Sequence, residues 1–361
     1  MQILSAASAF PKYYYSQDVL CRALEEYWGD KLENPALMRR LQRRTGVEGR
    51  FLSLPLQAYT KLATWGETNN LWIQTAVELG KQAVSRALNH AGLAPLDLGA
   101  IFFTSVTGIS SPSIDALLIN RMGLSPNICR IPMFGLGCVA GAAGISRAAD
   151  YVKAHPSQTA VLLSVELCSL TLQREDLSVA NLISAGLFGD GGAAVIVAGA
   201  EYDLPAPEIA ASGLELVGPK ILATRSVFYP QTEDMMGWAI SEKGFRIVLS
   251  PEVPGLVRQR LGSDIDAFLS ETGHVRGDIQ SWVLHTGGPK VLEATQAALG
   301  LDRQQLGASW DCLRKTGNLS SASVLVVLEE VMKNRRPAPG ALGLLAAMGP
   351  GFCSELVLLQ W

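Results

Sequence analysis

The sequence lacks the cysteine and histidine patterns that mark a metal site or a disulfide framework. Its six cysteines include no C-x-x-C pair, and its four histidines are dispersed along 361 residues. Zinc-ligand spacing is therefore absent, and a disulfide framework is not expected in a chain of this length. We expect no metal centre, and the cytoplasm is the expected compartment.

Long apolar runs and a strong net charge are missing as well. No run approaches the roughly 20 apolar residues that cross a bilayer, and the N-terminus lacks the basic and apolar regions of a signal peptide. The formal net charge is only −3, which gives no reason to expect a nucleic acid or an anionic membrane as partner. We therefore expect no membrane span and no nucleic-acid partner.

The composition that remains is typical of a well-buried α/β enzyme. Apolar residues make up 48% of the chain, charged residues 17%, and glycine is abundant at 35 residues. The length exceeds that of one usual core, so two closely packed halves are expected. Continuous apolar runs predict strands at 100–106, 159–167, 193–199, 282–287, 342–349 and 355–361. Three-to-four spacing of apolar residues predicts helices at 75–92 and 321–336.

The two halves follow similar patterns. In the first half, strand 100–106 is followed by a glycine-flanked helix that begins at Cys138. In the second half, strand 282–287 is followed by a helix that begins at Asn318. Each half then closes with a glycine-rich turn between apolar strands, in LFGDGGAAVIV and AAMGPGFCSELVLL. This repetition predicts two copies of one α/β unit packed as layers, spanning 1–213 and 214–361.

Cys138 lies in GLGCVAGAAGIS, between two glycines and at the start of a helix of small residues. A thiol at a helix N-terminus meets the positive end of the helix dipole and unpaired N–H groups, and both favour the reactive thiolate. The flanking glycines allow a substrate carbonyl to approach the backbone closely. The alternative is a buried cysteine that acts only as a small apolar residue.

A cysteine nucleophile needs a partner that positions it and stabilises its charge. His285, in SWVLHTGGPK, follows a predicted buried strand and can project into a site, whereas the other three histidines lie in surface contexts. Asn318, in KTGNLSSAS, is placed opposite Cys138 by the internal symmetry. Its alternative role is a helix N-cap. Together the three residues suit acyl capture and the stabilisation of an enolate or oxyanion.

Along nearly its whole length the chain resembles a type III polyketide synthase, the chalcone-synthase-like branch of the thiolase fold. The segments that carry the resemblance are LGCVAG (136–141), LFGDGGAAVIV (187–197), VPGLV (253–257), HTGGP (285–289), GNLSSAS (317–323) and MGPG (348–351). The resemblance implies a thiolase-like αβαβα layered fold and a likeness to enzymes that act as homodimers without a cofactor. Their substrates are CoA thioesters: an acyl-CoA starter is extended with malonyl-CoA by decarboxylative condensation, and the product is then cyclised.

The resemblance also implies roles for single residues. Cys138 would carry the acyl group as a thiolate, and His285 would stabilise that thiolate as an imidazolium. His285 and Asn318 together would support the decarboxylation of malonyl-CoA. Phe188, in GLFGDGG, matches the phenylalanine between the CoA tunnel and the reaction cavity, although core packing is its plain alternative.

The basic segment MRRLQRRTGVEGR (38–50) gains a role from the same resemblance. Arg40 and Arg44 lie one turn apart on one helix face, and both match basic residues that meet the phosphates of CoA in this family. Paired cations suit that anion. The alternative is a solvated helix face.

The cavity positions depart from the plant enzymes. Those positions carry Val106, Ser111, Cys168, Thr171 and Trp238. Cys168 resembles bacterial members that accept long fatty acyl starters, and Trp238 places a large ring where plant members keep a glycine. We expect a tunnel for an aliphatic acyl chain and an alkylpyrone or alkylresorcinol product, with ring closure depending on water around Thr171 and Ser320.

Three alternatives remain at this point. A β-ketoacyl-ACP synthase III also uses Cys, His and Asn on this fold, but its usual ACA and HQAN contexts are missing here. A biosynthetic thiolase would need Cys353 as its second cysteine, in a context that does not match. A catalytically silent, dimeric interaction protein on the same scaffold would be expected to have lost part of the Cys–His–Asn set.

Overall fold

The computed structural model describes residues 1–203 and 218–361, so the expected boundary between the halves, near Gly213, lies outside the described residues. The strands of the described chain are β1 Gln2–Ala9, β2 Tyr13–Ser16, β3 Gly49–Leu52, β4 Leu98–Thr104, β5 Cys129–Met133, β6 Thr159–Leu167, β7 Asp190–Ala198, β8 Lys220–Phe228, β9 Met236–Ser241, β10 Gly244–Leu249, β11 Ile279–Leu284, β12 Leu342–Gly349 and β13 Cys353–Gln360.

Helices lie on both faces of these strands and between them. Their bounds are α1 Gln17–Trp28, α2 Pro35–Arg43, α3 Leu56–Tyr59, α4 Trp65–Ala91, α5 Ile114–Met122, α6 Ala140–Ala154, α7 Val179–Leu187, α8 Val253–Glu271, α9 Pro289–Leu299, α10 Gly307–Thr316 and α11 Ser323–Asn334. Short 3₁₀ turns at Gly137–Val139 and Ser320–Ala322 precede α6 and α11.

One nine-stranded sheet runs through both halves in the order β11-β12-β13-β8-β1-β7-β6-β4-β5. In the first half β4 and β6 are parallel, and β7 and β1 follow antiparallel. In the second half β11 and β12 are parallel, and β13 and β8 follow antiparallel. The halves join where β1 meets β8, at the pair Gln2 and Lys220. The same pattern of directions thus occurs twice, as the internal repeat predicts.

The packing of alternate strand residues produces five layers. Leu162 of β6 and Leu345 of β12 pack into one core together with α6 and α11, which therefore lie between the two half-sheets. The next residue of β6, Leu163, faces the opposite way into a core with α4 and α5. Leu344 of β12 likewise faces a core with α8 and α9. The order helix, sheet, helix, sheet, helix is the expected αβαβα arrangement.

Several expectations from the sequence match element bounds closely and others do not. Strands 159–167 and 342–349 coincide with β6 and β12. The helix expected at 75–92 is longer, because Thr64 and Glu67 form a capping box that starts α4 at Trp65. The two helices expected to begin at Cys138 and Asn318 begin after 3₁₀ turns, at Ala140 and Ser323.

The described residues hold neither a membrane-spanning helix nor a metal-ligand cluster. None of the helices in 1–203 and 218–361 has the length and apolarity needed to cross a membrane. Within the same residues, no group of three or more His, Cys, Asp and Glu side chains could hold a metal ion.

Candidate active site

Cys138 lies in a tight turn at the start of α6. Gly137, the residue before it, has a φ of +53°, and a Cβ there would lie 2.6 Å from Pro350 Cδ. Only glycine meets both conditions, since side chains disfavour positive φ and the space is filled. The turn buries Cys138 to 5% exposure and directs the start of α6 toward the centre of the molecule.

The equivalent turn of the second half lies directly against it. A Cβ on Gly141 would come within 2.2 Å of the carbonyl oxygen of Ser321, so the absence of a side chain lets the two turns touch. The Sγ of Cys138 lies 3.7 Å from the Oγ of Ser320. Ser320 has a φ of +49°, an uncommon value for a residue with a side chain. The internal symmetry therefore brings the start of α11 to the thiol.

Asn318 is oriented by two hydrogen bonds to its side-chain oxygen. Its Oδ1 accepts from the backbone N–H of Ser320 at 2.7 Å and from the Oγ of Ser323 at 3.2 Å. Because both partners are donors, they identify the oxygen of the amide and leave the Nδ2 donors for other contacts. Asn318 lines the cavity that also contains Cys138. The amide thus keeps a donor available at the cavity, and the alternative N-cap role is not found, because Leu319 and Ala322 are the N-caps of the 3₁₀ turn and of α11.

His285 follows the last residue of β11, and its backbone N–H donates to the carbonyl of Ala346 at 3.0 Å. Its side chain lines the same cavity as Cys138 and Asn318. The Nδ1 of His285 has no hydrogen-bond partner within the described part of the chain. The three side chains named as a catalytic set from the sequence therefore meet in one buried cavity, although they come from three separate segments.

Burial changes the ionisation of both titratable members of this group. Desolvation raises the pKa of the Cys138 thiol to about 12, and the hydrogen bond with Ser320 opposes that rise only in part. Desolvation also lowers the pKa of His285 to about 4. The neutral thiol and the neutral imidazole are the favoured forms at neutral pH. Burial therefore opposes the expected thiolate–imidazolium pair, which the turn and the helix N-terminus favour, and that pair stays a prediction.

Phe188 lies between the Cys138 cavity and a second cavity, and it lines both. Its backbone pairs with that of Asn318, since the Asn318 N–H donates to the Leu187 carbonyl and the Gly189 N–H donates to the Asn318 carbonyl. Cys168, Thr171 and Trp238, all named from the sequence, line the second cavity on the far side of Phe188. The sequence expectation placed Phe188 at such a junction.

The second cavity has a wall that the sequence did not indicate. Helix α1 contributes Leu20 and Leu24, and β3 contributes Arg50. Helix α1 is an ordinary amphipathic helix without a motif, and Arg50 ends the basic segment 38–50, in which only Arg40 and Arg44 were given a role. Arg50 is buried, at 3% exposure, and this burial results from tertiary packing that the sequence does not show. Ser184, on α7, lines the same cavity.

Val106 and Ser111 are not among the residues that line these two cavities of the described chain. Val106 is 4% exposed, and its backbone N–H donates to the buried Glu166 carboxylate at 3.1 Å. Ser111 is exposed at the surface of the single chain. Both positions were expected at the cavity. The hydrogen bond to Glu166 instead fixes the backbone of Val106 beside the end of β4.

Arg40 and Arg44 lie at the surface, in the last turn of α2 and just after it. Neither forms an ion pair with the described residues, whereas the neighbouring Arg39 is bound to Glu25. Helix α2 packs on α7, the helix that leads to Phe188. Neither arginine lines the cavities, so both remain exposed cations on the helix beside α7.

Two family models match most of the chain. Residues 30–201 match the N-terminal domain of chalcone and stilbene synthases, and residues 220–361 match the C-terminal domain of the same enzymes. The chain belongs to the chalcone and stilbene synthase family and is a bacterial-type, chalcone-synthase-like type III polyketide synthase with the thiolase fold. It is an acyltransferase-type condensing enzyme, and enzymes of this family use CoA thioesters without an additional cofactor.

Particular relatives refine this picture. The chain is 46% identical to a 1,3,6,8-tetrahydroxynaphthalene synthase of Streptomyces peucetius subsp. caesius, over 99% of this chain and 93% of that protein. It is 34% identical to a putative chalcone synthase of Bacillus subtilis, over 99% of this chain and 98% of the relative. The crystal structure of the Streptomyces coelicolor A3(2) tetrahydroxynaphthalene synthase superposes with a TM-score of 0.91 at 29% identity, covering 100% of this chain and 99% of that one.

Proposed function

We propose that Cys138 carries the acyl group of this synthase and that His285 and Asn318 are its catalytic partners. The observation that carries the proposal is the meeting of the three side chains in one buried cavity. Because the thiol and the imidazole are both neutral there, His285 acts first as a general base. It takes the thiol proton while sulfur attacks the acyl-CoA carbonyl, and the proton then goes to the departing CoA thiolate.

The condensation step uses the same groups as hydrogen-bond donors. The carboxylate of malonyl-CoA leaves as CO₂, and its electron pair passes to the thioester oxygen as an enolate. A neutral His285 N–H and the Asn318 Nδ2 donate to that oxygen, and fixed donors of this kind stabilise developing negative charge. The enolate carbon then attacks the acyl carbonyl, and the Cys138 sulfur leaves. The extended chain is now carried by CoA and returns to Cys138 for the next cycle.

The surface residues enter the proposal as binding groups. Arg40 and Arg44 are exposed cations without ion pairs in the described chain, and a diphosphate matches two such groups. We assign the phosphates of CoA to them. A second copy of the chain would cover the exposed apolar side chains of Ile109 and Phe134, which flank Ser111 and β5. The homodimer is therefore part of the proposal.

The product proposed here is a hydroxylated aromatic compound built from malonyl units, of the tetrahydroxynaphthalene type. The name of the 46% identical relative supports this product. The polar side chains of the second cavity agree with it, because a chain made only of malonyl units carries a carbonyl group at every second carbon. Two of those side chains, Arg50 and Ser184, have polar atoms without a hydrogen-bond partner in the described chain.

An alkylpyrone or alkylresorcinol is the second candidate product. The second cavity is also lined by Leu20, Leu24, Leu56 and Ile247, and a row of apolar side chains suits an aliphatic starter. A relative named as an alpha-pyrone synthesis polyketide synthase, from Mycobacterium tuberculosis, is 29% identical over 82% of this chain. Long-chain starters would then be the preferred substrates.

The protein is incubated with malonyl-CoA, alone and together with acyl-CoA starters from acetyl to long-chain. Mass spectrometry of the products then distinguishes the two candidates. We expect an aromatic product from malonyl-CoA alone. A yield that rises with starter chain length, with pyrones or resorcinols as products, would favour the second candidate. Absence of any polyketide from the wild-type protein would contradict the catalytic assignment itself.

A further inference from the structure

The polar side chains that line the second cavity differ in how they are bonded. Thr171 Oγ1 donates to the Cys168 carbonyl at 2.8 Å, and the Tyr59 hydroxyl and Ser169 Oγ share a hydrogen bond of 2.6 Å. The Nδ2 of Asn181 donates to two backbone carbonyls. These groups are satisfied within the protein and have little reason to bind a substrate.

Two groups on the same cavity lack such partners. The Nε of Arg50 and the Oγ of Ser184 are buried and have no hydrogen-bond partner in 1–203 or 218–361. Buried polar atoms without a partner are uncommon and costly, so a pair of them on one cavity indicates a binding site for a ligand that supplies acceptors. Both belong to residues that line the cavity next to Phe188.

Arg50 is held rigidly in this position. Its Nη1 donates to the backbone carbonyl of Phe188 at 2.5 Å. Its aliphatic part fills the space beside Gly317, where an added Cβ would lie 3.0 Å from the Arg50 Cδ. Gly317 immediately precedes Asn318. The guanidinium is therefore fixed by the same backbone segments that carry Phe188 and Asn318.

Arg50 is also a buried cation without a bound carboxylate among the described residues. Desolvation lowers the pKa of its guanidinium to about 10, which still leaves it charged at neutral pH. The carboxylate of Asp190 is near enough to oppose that change, but it accepts hydrogen bonds from the backbone N–H groups of Ser53 and Ser169. The Arg50 guanidinium needs hydrogen-bond acceptors. The carbonyl oxygens of a polyketide supply them, and an aliphatic chain does not.

We propose that Arg50 and Ser184 form a subsite for the carbonyl oxygens of the growing polyketide, on the far side of Phe188 from Cys138. The inference rests on the proposed function, because it needs a chain that grows on Cys138. Arg50 and Ser184 bind carbonyl oxygens only after the growing polyketide has passed Phe188. The subsite therefore affects the length of the product and not the transfer of the starter to Cys138. It selects a chain rich in carbonyl groups over a saturated one.

The test compares Arg50→Gln, Arg50→Lys, Ser184→Ala and a control, Ser263→Ala, which makes the same change on the exposed side of α8. Three quantities are measured with radiolabelled malonyl-CoA and octanoyl-CoA: acyl group bound to Cys138, CO₂ released per chain, and product length by mass spectrometry. We expect normal loading in the control, and the products of every variant are compared per loaded chain. The ratio of the longest product to the shortest should fall about 5-fold in Ser184→Ala and at least about tenfold in Arg50→Gln.

Each possible result of this experiment either supports the subsite or overturns a stated part of the account. An unchanged product ratio in Ser184→Ala overturns the subsite even if the Arg50 variants do not fold. Equal loss of loading and of all products in the Arg50 variants, with Ser184→Ala unchanged, assigns Arg50 a structural role and also overturns it. A wild-type protein that loads no acyl group on Cys138 overturns the proposed function instead, so the two failures are distinguishable.

Discussion

The backbones of Phe188 and Asn318 pair in a parallel bridge, with hydrogen bonds of 2.9 and 3.0 Å on either side. This pairing connects the residue between the two cavities to the amide at the thiol, although the two lie in different halves of the chain. The amide oxygen of Asn318 is bound at the same time by Ser320 and Ser323. The position of Phe188 and the direction of the Asn318 Nδ2 donor are therefore coupled.

The Asn318→Asp variant tests the role of the Nδ2 donor, because the aspartate side chain has nearly the same shape as that of asparagine. The carboxylate of the Asn318→Asp variant would keep an oxygen for the Ser320 N–H but would replace the Nδ2 donor with a second acceptor. We expect malonyl-CoA decarboxylation to slow by about 10²- to 10³-fold in this variant, because an oxyanion donor is lost. Transfer of an acyl group to Cys138 should change much less. Equal losses in both steps would contradict a role specific to the enolate.

The ionisation of Cys138 predicts a particular pH dependence of its reactivity. With the pKa of the thiol raised to about 12 by burial, the thiolate fraction is small and rises with pH. The rate of alkylation of Cys138 by iodoacetamide should therefore rise roughly tenfold per pH unit from about pH 6 to about pH 9. A rate that is high and independent of pH over that range would indicate a resting thiolate–imidazolium pair.

The burial of neutral His285 predicts loss of stability in mild acid. Its pKa is about 4 in the folded chain against an ordinary value of 6.5, so the unfolded chain binds the proton first. The contribution is fully present above pH 6.5 and is lost as the pH falls toward 4. Between about pH 7 and about pH 5, wild-type protein should lose about 2 kcal/mol of unfolding free energy from this group.

Urea unfolding at the two pH values checks this prediction. His285→Gln should lose about 2 kcal/mol less than wild type over the same interval. His155→Gln changes an exposed histidine and serves as the control. An acid dependence that is the same in wild type and in His285→Gln would show that the imidazole is not buried in neutral form.

The contact between the two symmetry-related turns predicts a large effect at Gly141. A methyl group there would meet the Ser321 carbonyl oxygen, so Gly141→Ala should destabilise the protein by at least about 2 kcal/mol. Gly255→Ala is the matched control on α8, because no atom lies within 4 Å of the added Cβ. Its effect should be small or stabilising. Denaturant unfolding measures both, and equal effects would contradict the close approach.

Much of the fold could be predicted from the sequence because its central elements are locally distinctive. Strands β6 and β12 are largely apolar runs, and such runs are typical of strands buried on both faces. Every residue of β6 is indeed buried. Strands β8, β9 and β10 were not predicted. They are half exposed and carry mixed sequences such as KILATRSVF, which give no clear period.

The site was predictable in its parts but not in its electrostatics. The glycine pattern around Cys138 and the internal repeat indicated where the two turns would meet. The charge state was not predictable, because the pKa values of Cys138 and His285 depend on burial by distant segments. The burial of Arg50 was hidden for the same reason. Its hydrogen bond to Phe188 spans 138 residues of sequence, and nothing within the basic segment 38–50 distinguishes Arg50 from the surface arginines.

The most direct test of the central claim is the mass of the intact protein after mixing with an acyl-CoA starter in the absence of malonyl-CoA. Wild-type protein should gain one acyl group, and peptide mapping should place it on Cys138. Cys138→Ala should gain none. An acyl group on another cysteine, or an equal gain in Cys138→Ala, would contradict the assignment of Cys138 as the residue that carries the growing chain.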